Sequence, residues 1–442
     1  MNFELLKKAI AESAAELGIT EYEIYYESES SVSAETLKDE ISSLSSNVSA
    51  SLDFRCVVDG KMGFASTELM EVEEMRKLPA RAAENAKYTD KPDTVGIFKG
   101  SESYGTTNAP AHTPMTPEEI RKTALDIQSE TYKVSDKVTD GTQSAVSTAE
   151  MAVRMVNSHG LDLQASNGIN FAYAVAVVND NGEYQDSFAM TQLGKKSYPE
   201  LSAEAVNTAL EKVGSGSVET GKYNVIIDAK QMRTILAVFS NAFSAKVAQA
   251  GMSLLAGKEG QQIAADIINI TDDPMREGIP VQIPFDGEGV AAYRKDVVKN
   301  GVLQTLLYNR ATAAKAGCET TGNSGKGGND VRPYAFCIEA GDKTEEELFK
   351  MADNGIYVTE VKGLHAGANP VTGDFSIESA GFLIEGGKRT KPVKSFTIAG
   401  NFFNLLKEIK ALSNEVDFSL SGGYTTFGAP AVLIENMSVA GK

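Results

Sequence analysis

Metal-ligating side chains are what this sequence has least of. Only His112, His159 and His365 are histidines, and only Cys56, Cys318 and Cys337 are cysteines. A zinc site built by a protein draws mainly on these two residue types, usually closely spaced on one or two elements. Here no two histidines are neighbours and no two cysteines form a CxxC pair. The odd cysteine number and the scattered spacing exclude a disulfide framework and fit buried thiols in a reducing compartment. HExxH, the GxSxG elbow, the P-loop and GxGxxG are absent as well. Nothing approaches the run of about 20 apolar residues that spans a bilayer. Residues 1–18 read as an amphipathic helix without the apolar core or cleavage site of a signal peptide. The expected location is the cytoplasm, with no membrane association.

Positive charge is also short. Acidic residues outnumber basic ones, and the formal net charge is −18, which excludes a general nucleic-acid binder because phosphate contacts need a basic surface. What the chain does have is length and apolar material: 442 residues, 42% hydrophobic, enough for two domains or one large one.

Periodicity divides the chain. Residues 22–32 and the pair 47–58 and 61–67 alternate bulky and polar residues, the period of half-buried strands, with Asp59-Gly60 as a hairpin turn. Helical patterns follow at 70–86 and 117–132, the latter with Thr116 as N-cap and Pro117 in its first turn. A second β-rich block spans 144–191, with turns expected at Asn167-Gly168 and Asp180-Asn181-Gly182, so the first half reads as a β-meander built twice. A helix over 199–213 precedes the Gly/Ser run 214–221, the expected linker between an N-terminal domain, 1–213, and a β-rich C-terminal domain, 222–442. The second domain opens with a strand and a helix over 229–250. Its apolar stripe is Met232, Ile235, Leu236, Phe239 and Phe243. Strands then dominate, including 265–271, 281–285, 291–298, 302–308 and 334–338, with Asn300-Gly301 as a hairpin turn. The fold class is α+β: two domains rich in mainly antiparallel sheet, with helices packed on the sheets.

Candidate chemistry is thin. Asp272-Asp273 before Pro274 reads as a solvated turn. Asp286 and Glu288 in PFDGEGV, with Asp374, are the available carboxylates, although turn chemistry accounts for Asp286-Gly287-Glu288-Gly289 without catalysis. SGKGG at 324–328 lacks the Walker spacing and reads as a mobile loop. Cys56 lies inside a strand pattern and reads as a buried thiol.

Four blocks of the second half carry a resemblance: GQQIAADIINITDDP (260–274), PFDGEGV with RKDVVKNGVLQTLLYN (284–309), NPVTGDFSIESAGFLIEGGK (369–388) and GAPAVLIENMSVAGK (428–442). Their order and spacing resemble the TldD/PmbA family, labelled as modulators of DNA gyrase and as metallopeptidases. The DGKMGFAST hairpin (59–67) resembles it more loosely. The resemblance implies a PmbA/TldE-type subunit of a cytoplasmic peptidase that acts on unfolded or modified peptides. In that family the TldD-type subunits carry HExxxH and a carboxyl-terminal cysteine that hold zinc. Counted back from Gly260, the HExxxH positions fall on Ala237, Val238 and Ala242, and no cysteine follows Cys337. This chain is thus expected to hold no metal, with zinc only in a TldD-type partner. The expected assembly is a heterodimer with that partner or a homodimer, with Asp286, Glu288 and Asp374 as candidates for substrate or interface contacts. Two alternatives stand beside it: a non-enzymatic homodimer that binds peptides or regulates, and an autonomous enzyme using those three carboxylates.

Overall fold

The computed structural model describes residues 3–89, 92, 95–108, 112–420 and 425–442. Its first half contains, in chain order, α1 (Phe3–Glu16), β1 (Tyr22–Leu37), β2 (Glu40–Val58), β3 (Lys61–Thr67), α2 (Val72–Lys87), α3 (Pro117–Val134), β4 (Gln143–Asn157), β5 (Asp162–Asp180), β6 (Glu183–Gln192) and α4 (Tyr198–Glu211). The strands form a six-stranded antiparallel sheet ordered β3-β2-β1-β4-β5-β6. Two three-stranded meanders therefore stand back to back across the β1–β4 pair, as the doubled pattern of the sequence predicts.

One face of this sheet carries all four helices. Ile24 and Ala34 of β1 are an even number of residues apart and so point the same way. Ile24 joins Leu6 and Ile10 of α1, Met75 and Leu78 of α2, and Leu52 and Phe54 of β2. Ala34 joins Ile120 and Ile127 of α3, Leu201 and Val206 of α4, and Ala172 and Ala174 of β5. Each large side chain fully buried this way contributes about 1.5–3 kcal/mol. Capping boxes at Thr116 and Ser197 start α3 and α4, satisfying backbone N–H groups that a helix leaves unpaired.

The second half adds β7 (Gly221–Ile227), α5 (Ala229–Phe239), α6 (Ala245–Gln249), β8 (Ile270–Asp272), β9 (Lys295–Lys299), β10 (Val302–Leu303), α7 (Arg310–Ala316), β11 (Ala335–Ile338), α8 (Glu345–Ala352), β12 (Gly355–Lys362), α9 (Leu364–Gly367), β13 (Asp374–Glu385), β14 (Lys388–Asn401), α10 (Phe402–Glu408), β15 (Ile409–Phe418) and β16 (Thr426–Ala440). Its sheet runs β10-β9-β8-β11-β16-β14-β13-β12-β7, and β7 pairs with β16 as well as β12. The pairings β16-β14-β13-β12-β7-β16 therefore close a circuit. The stripe Met232, Ile235, Leu236, Phe239 and Phe243 is buried in the core of this half, and Phe239 stacks on Phe402 with ring centroids 4.6 Å apart. Between the two sheets, the Gly216 backbone pairs with β14 at Val393 and Val218 is buried in the second core.

Several expectations are corrected. Asn167-Gly168 is no turn: both residues lie within β5, opposite Met151 and Glu150. The turns of the second meander are at residues 158–161 and at Asn181-Gly182, which has φ of 52° and 90°. β1 and β2 run on past the apolar alternation, into serine-rich outer halves of which that of β2 is exposed. The single helix expected over 229–250 is three pieces, with a 3-10 turn over Ser240–Phe243. Residues 281–285 form no strand, and 265–271 and 302–308 contribute only short ones.

Candidate functional site

The face of the first sheet opposite its helices meets loops of the second half, and charge gathers there. Glu23 of β1 and Arg55 of β2 are opposite neighbours in register. The Arg55 guanidinium donates to Glu23 Oε1 through Nε at 3.1 Å and Nη2 at 2.7 Å, with both side chains buried. Burial holds the Glu23 carboxyl above its usual range even with Arg55 beside it. Arg55 Nη1 then reaches across the junction and donates to the Gly327 carbonyl at 2.9 Å. Lys326 next to it pairs with Glu27 at 3.3 Å and Asp53 at 3.5 Å. SGKGG is thus a short 3-10 turn pinned to the first sheet, which corrects its reading as a mobile loop.

Asp286 and Glu288 sit on the same junction, buried to 1% and 3% exposure. Asp286 Oδ1 accepts from the backbone N–H of Glu288 and Val290, both at 2.9 Å, and Oδ2 accepts from Ser324 N at 2.9 Å. Tyr334 donates its hydroxyl to the Ser324 carbonyl at 2.5 Å. The approach is close: a Cβ at Gly287 would lie 2.1 Å from the Gly325 oxygen, so only glycine fits. Burial, and then the neighbouring Glu288 charge, push the Asp286 carboxyl up to about 7. Glu288 Oε2 accepts from Arg310 N at 3.0 Å, and the Arg310 guanidinium donates to the carbonyls of Val95 and Gly96. The cavity beside Asp286 holds about 20 Å³, room for one water and no substrate. The pair fastens loops to loops.

Asp272, expected in a solvated turn, is instead fully buried. It accepts from Lys295 Nζ at 3.0 Å, Asn323 Nδ2 at 2.7 Å, and the backbone N–H of Tyr334 and Ala335. That is a fully bonded ion pair, the condition under which a buried charge is tolerated. Asp374 belongs to neither cluster. It lies exposed at the start of β13, where Asn401 Nδ2 donates to it at 2.9 Å and holds its carboxyl below the usual range. Asn401 in turn lines a polar cavity of about 390 Å³ with Lys222, Glu408, Lys410 and Glu435.

Ala237 and Val238 lie in the last turn of α5, and Ala242 lies in the 3-10 turn beyond it, 1% exposed. Their side chains are hydrocarbon and offer no donor atom. Among the described residues, no group of three or more His, Cys, Asp or Glu side chains is placed to hold a metal ion. Burial pushes the Cys56 thiol up to about 11 and the Cys337 thiol up to about 12. Ala237, Val238 and Ala242 do not fit a zinc centre.

A groove of about 890 Å³ crosses the first sheet, floored by small residues of adjacent strands, including Ser28, Ser30, Ala152, Ser166 and Gly168. His112 fills the space over Gly168, where a Cβ would come 2.1 Å from its ring, and its Nε2 is 3.4 Å from Thr148 Oγ1. The only signal in sequence was a glycine inside a strand pattern, which marks close approach as often as a turn.

Comparison with known proteins bears on both halves. The model of the PmbA/TldA metallopeptidase C-terminal domain matches residues 220–441, and that of PmbA/TldA metallopeptidase domain 1 matches residues 22–86. Metalloprotease MJ0996 of Methanocaldococcus jannaschii is 26% identical over 88% of each chain. A metalloprotease PmbA homolog of Haemophilus influenzae is 24% identical over 99% of this chain and 94% of its own. The Thermotoga maritima protein TM0727, whose name refers to modulation of a DNA gyrase, superposes with a TM-score of 0.90 at 28% identity over 99% of this chain and all of its own. TldE from Thermococcus kodakarensis has the same fold, with a TM-score of 0.87 at 22% identity, covering 99% of this chain and all of its own. With its C-terminal domain model spanning half the sequence and its fold matched end to end, the chain belongs to the TldD/PmbA family.

Proposed function

We propose that this chain is the metal-free subunit of a cytoplasmic TldD/TldE-type peptidase. In this reading it supplies an interface and part of a peptide-holding chamber, while a TldD-type partner holds zinc and hydrolyses unfolded or modified peptides. The observation that carries the reading is chemical: Ala237, Val238 and Ala242 stand at the counted HExxxH positions with no donor atom among them. A zinc hydrolase needs ligands for the metal and a base for its water, and these three positions supply neither. The groove over the first sheet supports the chamber. Its floor of small side chains leaves room for an extended chain laid across the sheet face. Among the described residues no helix is long and apolar enough to cross a membrane, which is compatible with a cytoplasmic setting.

The test is elemental analysis and peptide cleavage, on this chain alone and after co-expression with a TldD-type chain. Stoichiometric zinc and cleavage are expected only in the mixture. Cleavage by this chain alone that survives a chelator would sink the proposal.

The same groove favours a second reading, a homodimeric peptide-binding or regulatory protein without catalysis. A symmetric dimer whose mass is unchanged by adding a TldD-type chain, and which still retains peptides, would select it.

A further inference from the structure

Strand β2 has β1 on one side along its whole length, but β3 covers its other side only from Leu52 to Val58. Among the described residues nothing pairs with the outer side of Glu40–Ser51, and Ser42–Ser49 are all exposed. Natural sheets blunt such edges with proline, lysine, bulges or a covering element. This edge has none of the first two: from Ile41 to Ser51 the sequence is ISSLSSNVSAS, without proline and without charge. Its one irregularity, a register shift opposite Glu35/Thr36, lies at the far tip. The regular stretch Ser43–Ser51 is left as an open template.

Two properties of that stretch select its occupant. In a chain of net charge −18, most surfaces of two copies repel, and an uncharged edge is where two copies can approach. The apolar residues are also self-complementary. Leu44 and Val48 are 53% and 80% exposed and flank Ser46 symmetrically. If two edges pair antiparallel about Ser46, Leu44 of each copy stands opposite Val48 of the other on one face, a favourable cross-strand pair. Ser43 then stands opposite Ser49, and the pairing ends before β3 begins opposite Leu52.

We infer that β2 edges of two copies of this chain pair antiparallel about Ser46, joining the two six-stranded sheets into one continuous sheet. The inference adds a surface and a register to the reading of this chain as a pairing subunit. It is tested without any activity measurement, so it can fail or stand independently of the peptidase assignment.

The experiment uses the full chain with exposed Cys318 replaced by serine; the other cysteines are buried. In this background Ser46→Cys places two thiols on the twofold axis. Paired strands hold opposite Cα atoms about 4.5–5.5 Å apart, within the range a disulfide spans. Mild oxidation is expected to convert Ser46→Cys to covalent dimer, while Glu40→Cys, off the axis, stays monomeric on a denaturing gel. Leu44→Glu with Val48→Glu sets carboxylates opposite each other and is expected to shift the mass in light scattering from dimer to monomer, with unchanged circular dichroism. A parent that is monomeric at tens of micromolar, a double variant that stays dimeric, or a missing Ser46→Cys disulfide would each overturn the assignment. So would loss of that disulfide on binding a TldD-type chain, which would give the edge to that chain instead.

Discussion

Strands β2 and β16 are both long, 19 and 15 residues, but they live in opposite surroundings. β16 has β11 and β7 along one side and β15 and β14 along the other, and Gly428–Ile434 are buried without interruption. β2 is paired on both sides only where β3 reaches it, and its outer half is serine in water. Inside the circuit of β16, β14, β13, β12 and β7 no backbone edge is left to protect, and side chains there can be spent on a core. An open sheet keeps unpaired backbone for recognition, and its surface must be polar enough to stay soluble when that backbone is free. Stability should therefore concentrate in the second half and recognition in the first.

The sharpest break in that contrast is expected from ion pairs. Asp272→Ala would strand the Lys295 ammonium, 4% exposed, without a counter-charge, a change that costs about 3–5 kcal/mol. In the first sheet the half-exposed Lys137–Asp180 pair at 2.7 Å is of the solvated kind, and Asp180→Ala is expected to cost at most about 1 kcal/mol. Urea midpoints of the two variants should differ severalfold in displacement; equal shifts would remove the contrast.

Next in size is the groove. Gly168→Ala forces a methyl group into the His112 ring and is expected to cost about 1–3 kcal/mol by overpacking. His112→Ala in the same chain should recover most of it, because the two residues share one space. If the double variant is no more stable than Gly168→Ala, the clash is relieved elsewhere and the groove wall is softer than its geometry implies.

How much of this was legible in sequence depends on what each segment faces. The doubled meander, the cap Thr116 and the turns Asp59-Gly60 and Asn300-Gly301 follow from local chemistry, and each stands in the structure. The outer half of β2 was unreadable because neither face is buried, so no alternation marks it. β16 went unread for the opposite reason: a strand buried on both faces shows a continuous apolar run, which periodicity cannot assign. Asp286 and Glu288 were visible as turn chemistry. Their burial was not, because it comes from segments later in the chain, Ser324 closing on Asp286 and Arg310 on Glu288. Asp272 was misread for the same reason, its counter-charge Lys295 arriving on another strand.

A smaller effect should appear with pH in the second half. Asp228 caps α5 by accepting from Gln231 N at 2.6 Å, and burial pushes its carboxyl up to about 7. The folded chain therefore holds this proton between about pH 4 and 7, where the unfolded chain, with the ordinary value near 3.9, has released it. Stability from this group is greatest below about pH 4, falls as pH rises to about 7, and is level above. Asn caps a helix as well as Asp, so Asp228→Asn keeps the cap and removes the titration. Relative to the variant, wild type should lose stability across that window and not above it. Parallel pH profiles would show that the cap is solvated.

The smallest expected effect is the one that most directly sharpens the comparison. Val48 is among the most exposed large apolar residues of the chain, at 80%, whereas Val432 of β16 is fully buried. Val→Thr removes a methyl contact and adds a hydroxyl that must find a partner. At Val432 the partner is missing and the change is expected to cost about 1–3 kcal/mol. At Val48 water supplies it, and the change in unfolding free energy should stay within about 0.5 kcal/mol. The measurement belongs at submicromolar protein, where any pairing between copies is diluted away and only the single chain is weighed. A loss at Val48 that grows with protein concentration would then locate its value in an assembly, and a loss independent of concentration would mean that the β2 edge contributes to the fold of the single chain after all.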